Sequence, residues 1–186
     1  IIDHVELLQN PEEHESRQPA SADSVLQQRY DVNLLIDNSK LQGAPVIVES
    51  HPVYGNLLGR IEHEMVMGAA RTDFTKIRAG AFHRANGGYL ILPARDLLVS
   101  PYAWEGVKRV LRDGHLRISE IGNQVGLISA ETLEPQPIPL NIKVILIGAP
   151  LVYYLLREFD EDFVKLFKVQ AEFVAVMDRT PEAEHD

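Results

Sequence analysis

Cysteine is absent from the 186 residues. That excludes disulfides, thiolate-bound zinc and a cysteine nucleophile, and it makes a reducing cytosol the simplest home. No apolar run approaches the roughly 20 residues that a membrane helix needs, so no membrane partner is expected. No secretory leader pattern opens the chain. The phosphate-gripping pattern G-x-x-x-x-G-K-[ST] is missing too, since no Gly is followed by Lys anywhere. The nearest approach, Gly55 to Gly59 followed by Arg60, is too short and lacks the lysine; a turn is expected there. A Gly-x-Ser-x-Gly elbow is also missing, and Ser100, Ser119 and Ser129 stand where capping or turn roles suffice. Seven histidines are present, but His51, His63 and His83 have no second ligand at metal spacing. Structural or surface roles are expected for them, and no metal site. Positive charge is also scarce: the net charge is −9, which argues against nucleic acid as a partner.

What is present is 45% hydrophobic, enough for one domain with a sizeable core and appendages. The chain begins at Ile1, with no Met, and ends in a polar stretch, so a segment of a longer protein is expected. Ile1, Ile2, Val5 and Leu8 fall at helical spacing and suggest the tail of a helix closed by Asn10-Pro11. From Glu12 to Ser24 the residues are charged and small, as in a linker. The expected organisation is therefore a helical tail and linker over 1–28, an α/β domain over 29–177, and a frayed tail over 178–186.

The chain is organised around residues 80 to 98. A short helix-like turn runs through Gly87 and Gly88 into Tyr89-Leu90-Ile91-Leu92, a continuous apolar run of the kind buried on both faces of a parallel sheet. In nucleotide-hydrolysing sheets such a strand ends in acidic residues that hold Mg²⁺ and orient water. Here Pro93 and Ala94 follow instead.

Other segments read as further sheet members and the helices between them. Val32 to Ile36 and Pro45 to Glu49 read as strands, and Ser24 to Tyr30 as a short helix. Met65-Val66-Met67-Gly68 is apolar, flexible and small, as in a loop that grips varied apolar surfaces; a core hairpin would have the same composition. Ser100-Pro101 predicts the start of a helix that carries Trp104, Val107, Val110 and Leu111 on one face and stops at Gly114, with Lys108, Arg109 and Arg112 on a solvated side or, alternatively, at an inter-subunit or phosphate contact. Residues 115 to 129 predict a β-hairpin turning at Gly122-Asn123. Pro135, Pro137 and Pro139 mark an extended connector over 131–139. Ile142 to Ile147 reads as a second fully buried strand, Leu151 to Glu158 and Asp162 to Phe167 as helices, and Val169 to Val176 as a last strand.

In order, the runs Tyr54-Gly55-Asn56-Leu57-Leu58-Gly59-Arg60-Ile61-Glu62, Thr72-Asp73-Phe74 and Ala79 to Leu92 resemble the Lon-like ATP-dependent proteases of the AAA+ class. So do Leu133 to Leu140, Lys143 to Gly148, and Asp162-Phe163 through Phe173. The resemblance implies a three-layer, partial AAA+ (P-loop NTPase-like) large subdomain lacking the Walker A strand. Tyr89 to Leu92 would be its Walker B strand, the 115–129 hairpin would precede the sensor 1 strand, and Ile142 to Ile147 would be that strand. A Walker A loop would lie upstream of Ile1 and a Ser-Lys proteolytic domain beyond Asp186. An incomplete sheet follows, because the Walker A strand normally sits in its middle.

Leu92, Pro93 and Ala94 occupy the cofactor-binding Walker B position in degenerate form. The 62 to 75 stretch falls where related proteins carry a substrate-facing loop, and Met65, Val66, Met67 and Gly68 are its candidate substrate-handling residues. No catalytic residue and no cofactor are expected in this stretch; ATP and Mg²⁺ would belong to the full-length protein. The implied partners are polypeptide substrates and further copies in a ring, in the cytoplasm. Two other functions fit less of the sequence: the ring ATPase of an enhancer-binding transcriptional activator, and a non-enzymatic interaction module.

Overall fold

A computed structural model of the chain describes residues 31–66, 69–118 and 133–173. In chain order these form β1 (Val46–Val48), α1 (Tyr54–Leu58), β2 (Arg60–Ile61), β3 (Glu64–Val66), β4 (Ala69–Arg71), a 3-10 turn (Phe74–Lys76), β5 (Ile77–Arg78), α2 (Ala81–Arg84) and β6 (Tyr89–Pro93). Then come α3 (Ala94–Val99), α4 (Ala103–Asp113), β7 (His115–Leu116), β8 (Ile138–Pro139), β9 (Lys143–Ile147), α5 (Pro150–Phe159) and α6 (Glu161–Leu166).

The three most apolar, β-branched runs pair with one another. They build a parallel sheet of order β1-β6-β9, with Val46, Tyr89 and Lys143 in one row and Val48, Ile91 and Ile145 in another. Strand side chains alternate between faces. Ile47, Leu90, Leu92, Val144 and Leu146 therefore share one face, and they meet Leu57, Phe82, Leu97, Trp104 and Val107 from the helices in a single core. Each fully buried Leu there contributes roughly 1.5–3 kcal/mol relative to exposure.

The opposite face carries Val46, Val48, Tyr89, Ile145 and Ile147, all exposed. The two runs expected to be buried on both faces are thus covered on one by the described residues. A continuous apolar run reports that a strand belongs in a core, but not which neighbouring layers the described chain supplies. The mixed α/β class, the parallel sheet and the partial AAA+ plan are as expected. The sheet is three-stranded among the described residues, with β1 and β9 as its edges.

Several local expectations change. Residues 32–36 form no strand: Val32 and Leu34 point outward, while Asn33 donates its amide to the carbonyls of Phe74 (2.8 Å) and Ile77 (3.1 Å). This segment is a strap held by a polar residue. The Gly55–Gly59 stretch is the helix α1, closed by the Gly59 N–H on the Gly55 carbonyl at 3.0 Å. Ser100 ends α3 and does not start α4, because its N–H and hydroxyl both bond to the Asp96 carbonyl, at 3.2 and 2.8 Å. Pro139 belongs to a strand, as β7 pairs antiparallel with β8. The expected returning strand of the 115–129 hairpin lies outside the described residues. Residues 169–173 are not a strand; Val169 and Phe173 are exposed, with no neighbouring strand among the described residues to pair them. The expected helices over 1–9 and 24–30, the 12–24 linker and the last part of the 169–176 run lie outside the described residues.

Candidate functional site

Two regions bear on function: the end of the sheet, and a hairpin that leaves it. Because β1, β6 and β9 run parallel, their C-terminal ends share one edge, where open α/β sheets hold ligands. Leu92 is buried in the core. Pro93 pairs with Ile147, and Ala94 begins α3 and is buried. A β-carbon on Gly148 would lie 3.1 Å from the Ala94 methyl, so the chain beyond β6 and the chain beyond β9 pack closely at this point.

Glu49, which follows β1, has both carboxylate oxygens engaged. One accepts the His51 N–H at 3.0 Å and the other the Arg84 guanidinium at 2.9 Å. Among the described residues no group of three or more His, Asp or Glu could hold a metal ion. The imino ring and methyl group at 93 and 94 offer no oxygen ligand to Mg²⁺, which demands them. The residues present at this edge do not fit a magnesium nucleotide.

The hairpin is built from β3 and β4, with Glu64 opposite Arg71, Met65 opposite Ala70 and Val66 opposite Ala69. Met65 is 72% exposed, so this is not a core hairpin. Met67 and Gly68 lie outside the described residues. Below it, β2 and β5 form a two-rung stalk, Arg60 opposite Arg78 and Ile61 opposite Ile77.

Polar groups brace this stalk. The Glu62 carboxylate takes Arg78 Nε at 2.8 Å and Arg60 at 3.1 Å; the Arg78 hydrogen bond is the chief reason its pKa lies below the usual carboxylate range. Lys76 pairs with Glu64, and the Thr72 hydroxyl donates to the Glu62 carbonyl at 2.8 Å. Exposed pairs of this kind contribute little energy each, but together with Asn33 they set the direction in which the hairpin leaves the domain.

Sequence reasoning missed a third feature, a polar hub beneath α4. Lys108, expected on a solvated face, is 7% exposed. Its ammonium donates to Asp160 at 2.9 Å and to Glu105 at 2.8 Å. Trp104 Nε1 donates to the same Asp160 oxygen at 2.7 Å. The other oxygen of Asp160 accepts the N–H groups of Asp162 (3.0 Å) and Phe163 (3.1 Å), capping α6. Burial pushes the Asp160 pKa up, but Lys108, Trp104 and the Phe163 N–H outweigh it and the pKa is lowered. Burial likewise opposes the Lys108 charge, and its two carboxylate partners raise its pKa nonetheless. The signal was present in part: Asp160 precedes Glu161-Asp162, a helix-start pattern, and Lys108 is four residues from Trp104, on the same face.

No helix of the described residues is long and apolar enough to cross a membrane. A comparison with curated proteins finds no match. Among solved structures, NtrX from Brucella abortus is similar, at 18% identity and a TM-score of 0.42, over 68% of this chain and 26% of that one. The chain therefore spans about a quarter of NtrX. The family described as "LonB-like, AAA domain" matches residues 42–174, a stretch that runs from before β1 to beyond α6 and takes in the sheet, the hairpin and the hub. The chain belongs to the LonB-like AAA domain family.

Proposed function

We propose that this segment is the polypeptide-handling and subunit-packing part of a Lon-like ATP-dependent Ser-Lys protease, an oligomeric ring of the cytoplasm whose proteolytic domain and Walker A loop lie elsewhere in the longer protein. The observation that carries the reading is the braced hairpin with Met65 exposed near its turn. A flexible thioether suits contact with varied apolar side chains, and residues 65 to 68 are the segment we assign to substrate handling. The Walker B position at Leu92, Pro93 and Ala94 is degenerate and supplies no metal ligand; any ATP and Mg²⁺ of the full protein depend on groups outside this chain.

A photo-reactive residue at position 65 tests the hairpin. With a permanently unfolded polypeptide, crosslinking is expected from 65 and not from 112, an exposed position on α4. Burying a Met side chain is worth about 1.5–3 kcal/mol, so Met65→Asp is expected to weaken capture about tenfold or more. Equal labelling from both positions would remove the hairpin from this role.

The sheet end is tested separately. Incubated with magnesium ATP, the chain is expected to show no turnover and no peptidase activity, and no shift of the Leu92 or Ala94 amide signals. A saturable shift at these two residues would overturn the degenerate assignment.

A further inference from the structure

His83 sits at the foot of the hairpin's stalk and is 6% exposed. Its Nδ1 accepts the N–H of Gly80 at 3.1 Å, so the neutral ring carries its proton on Nε2, which is buried without a partner. Around it two stretches of backbone touch. A β-carbon on Gly80 would fall 2.3 Å from both the Gly59 nitrogen and the Leu57 carbonyl oxygen. One on Gly59, whose φ is +86°, would fall 2.6 Å from the Arg78 carbonyl and 3.2 Å from His83 Cε1. The stalk strands β2 and β5 start and end at this crossing, directly beyond Gly59 and before Gly80. The ring is wedged against the joint between the stalk and the helices α1 and α2.

The charged groups of the adjoining elements are committed elsewhere. Arg60 on β2 and Arg78 on β5 share Glu62, and Arg84 on α2 holds Glu49 beyond β1. On α1 the titratable group is Tyr54, whose hydroxyl accepts from Arg109 of α4 at 2.7 Å. None supplies a counter-charge to the imidazole.

We propose that His83 is a proton-sensitive latch that fastens the hairpin stalk to the helices α1 and α2. A proton gained at Nδ1 turns the acceptor of the Gly80 N–H into a second donor and places an unpaired charge in apolar contact. The foot of the stalk then opens while the sheet stays formed. Burial lowers the His83 pKa to about 4 from 6.5, and the sign follows: the neutral ring's contribution is complete above pH 6.5 and is lost as pH falls toward 4. The latch bears on polypeptide capture only through the reading above, so its test uses no substrate, and the two can fail separately.

The test is amide hydrogen exchange from pH 7.5 to 4.5, corrected for intrinsic rates. The opening constant at Ile61, Glu62 and Ile77 is expected to rise about tenfold per unit below pH 6.5, approaching a hundredfold at pH 4.5. The amides of Leu90 and Ile145 are expected to stay protected. His83→Asn, which keeps an acceptor for Gly80 but does not titrate, is expected to flatten the profile. The wild-type ring proton signals need no variant and are expected to titrate near pH 4. A ring midpoint near 6.5, a pH-independent stalk, an unchanged profile in His83→Asn, or equal opening of the sheet would each overturn the latch.

Discussion

Asp160→Ala is expected to lower the unfolding free energy by about 3–5 kcal/mol, the range for removing one partner of a buried ion pair. Three losses coincide: Lys108 loses one of its two carboxylate partners, the Trp104 indole N–H loses its acceptor, and α6 loses its cap. The cap alone is worth about 1 kcal/mol, and the three do not add, because they share one side chain. The exposed carboxylate of Glu105 still reaches Lys108, which favours the lower end of the range. For a chain of this length the midpoint of thermal melting should fall by roughly 6–12 °C. Asp160→Asn separates the parts. It keeps an oxygen for the cap but removes the charge, so its loss should be clearly smaller. Adding Lys108→Met to Asp160→Asn should recover stability, since the ammonium then no longer needs a counter-charge. Urea unfolding of the three variants at constant m-value provides the check. Equal losses for Ala and Asn would mean that the charge facing Lys108 is the whole effect and that the cap adds nothing; no loss for Asn would mean that Lys108 is solvated and the hub is a cap alone.

Gly88→Ala is expected to cost at least about 3 kcal/mol, whereas Gly87→Ala, one residue earlier, should cost about 1–2 kcal/mol. The two glycines do different work. Gly87 has a φ of +87°, and a β-carbon there would meet nothing within 4 Å, so only backbone strain opposes a side chain. At Gly88 the β-carbon would lie 2.0 Å from the Pro45 carbonyl oxygen and 2.8 Å from the Pro45 ring and nitrogen. That carbonyl also accepts the Tyr89 N–H at 2.8 Å, at the start of the β1–β6 ladder, and the Gly88 carbonyl accepts Lys143 at 2.9 Å on the other side. A methyl group must therefore push β1 off the sheet. Parallel thermal unfolding of the two variants decides the matter. Equal effects would refute the contact argument, and a Gly88→Ala chain that fails to fold beside a folded Gly87→Ala chain would support it.

The same pair of residues shows how far local reading reached. Gly87-Gly88 was legible as a break before an apolar strand, because loss of the side chain and the switch to a continuous apolar run are both local. Which glycine is irreplaceable was not legible, since Pro45 is brought against Gly88 by the sheet. Lys108 is parallel: its spacing from Trp104 was visible, but a lysine on an amphipathic helix is ordinarily solvated, and its partner Asp160 lies 52 residues away. Residues 32–36 were misread for the opposite reason. They have strand composition, yet Asn33 finds its hydrogen bonds on the 3-10 turn and on β5, 41 and 44 residues on. At the candidate site, the proline and alanine after β6 were legible at once, since only their chemistry matters there. The hairpin's pairing and exposure were not, because flexible apolar residues serve a buried turn and a gripping tip equally well.

Taken alone, the amino-acid order determined the three sheet strands, the buried face of α4 and the uncharged end of β6. Each is written in near neighbours: runs of branched side chains, a helical period, two residue types in succession. Tertiary structure decided which sheet face the helices cover, where Asp160 gathers its four donors, and how His83 is sealed from water at the foot of the hairpin. These depend on groups distant in the chain becoming adjacent, and desolvation acts only once they have done so.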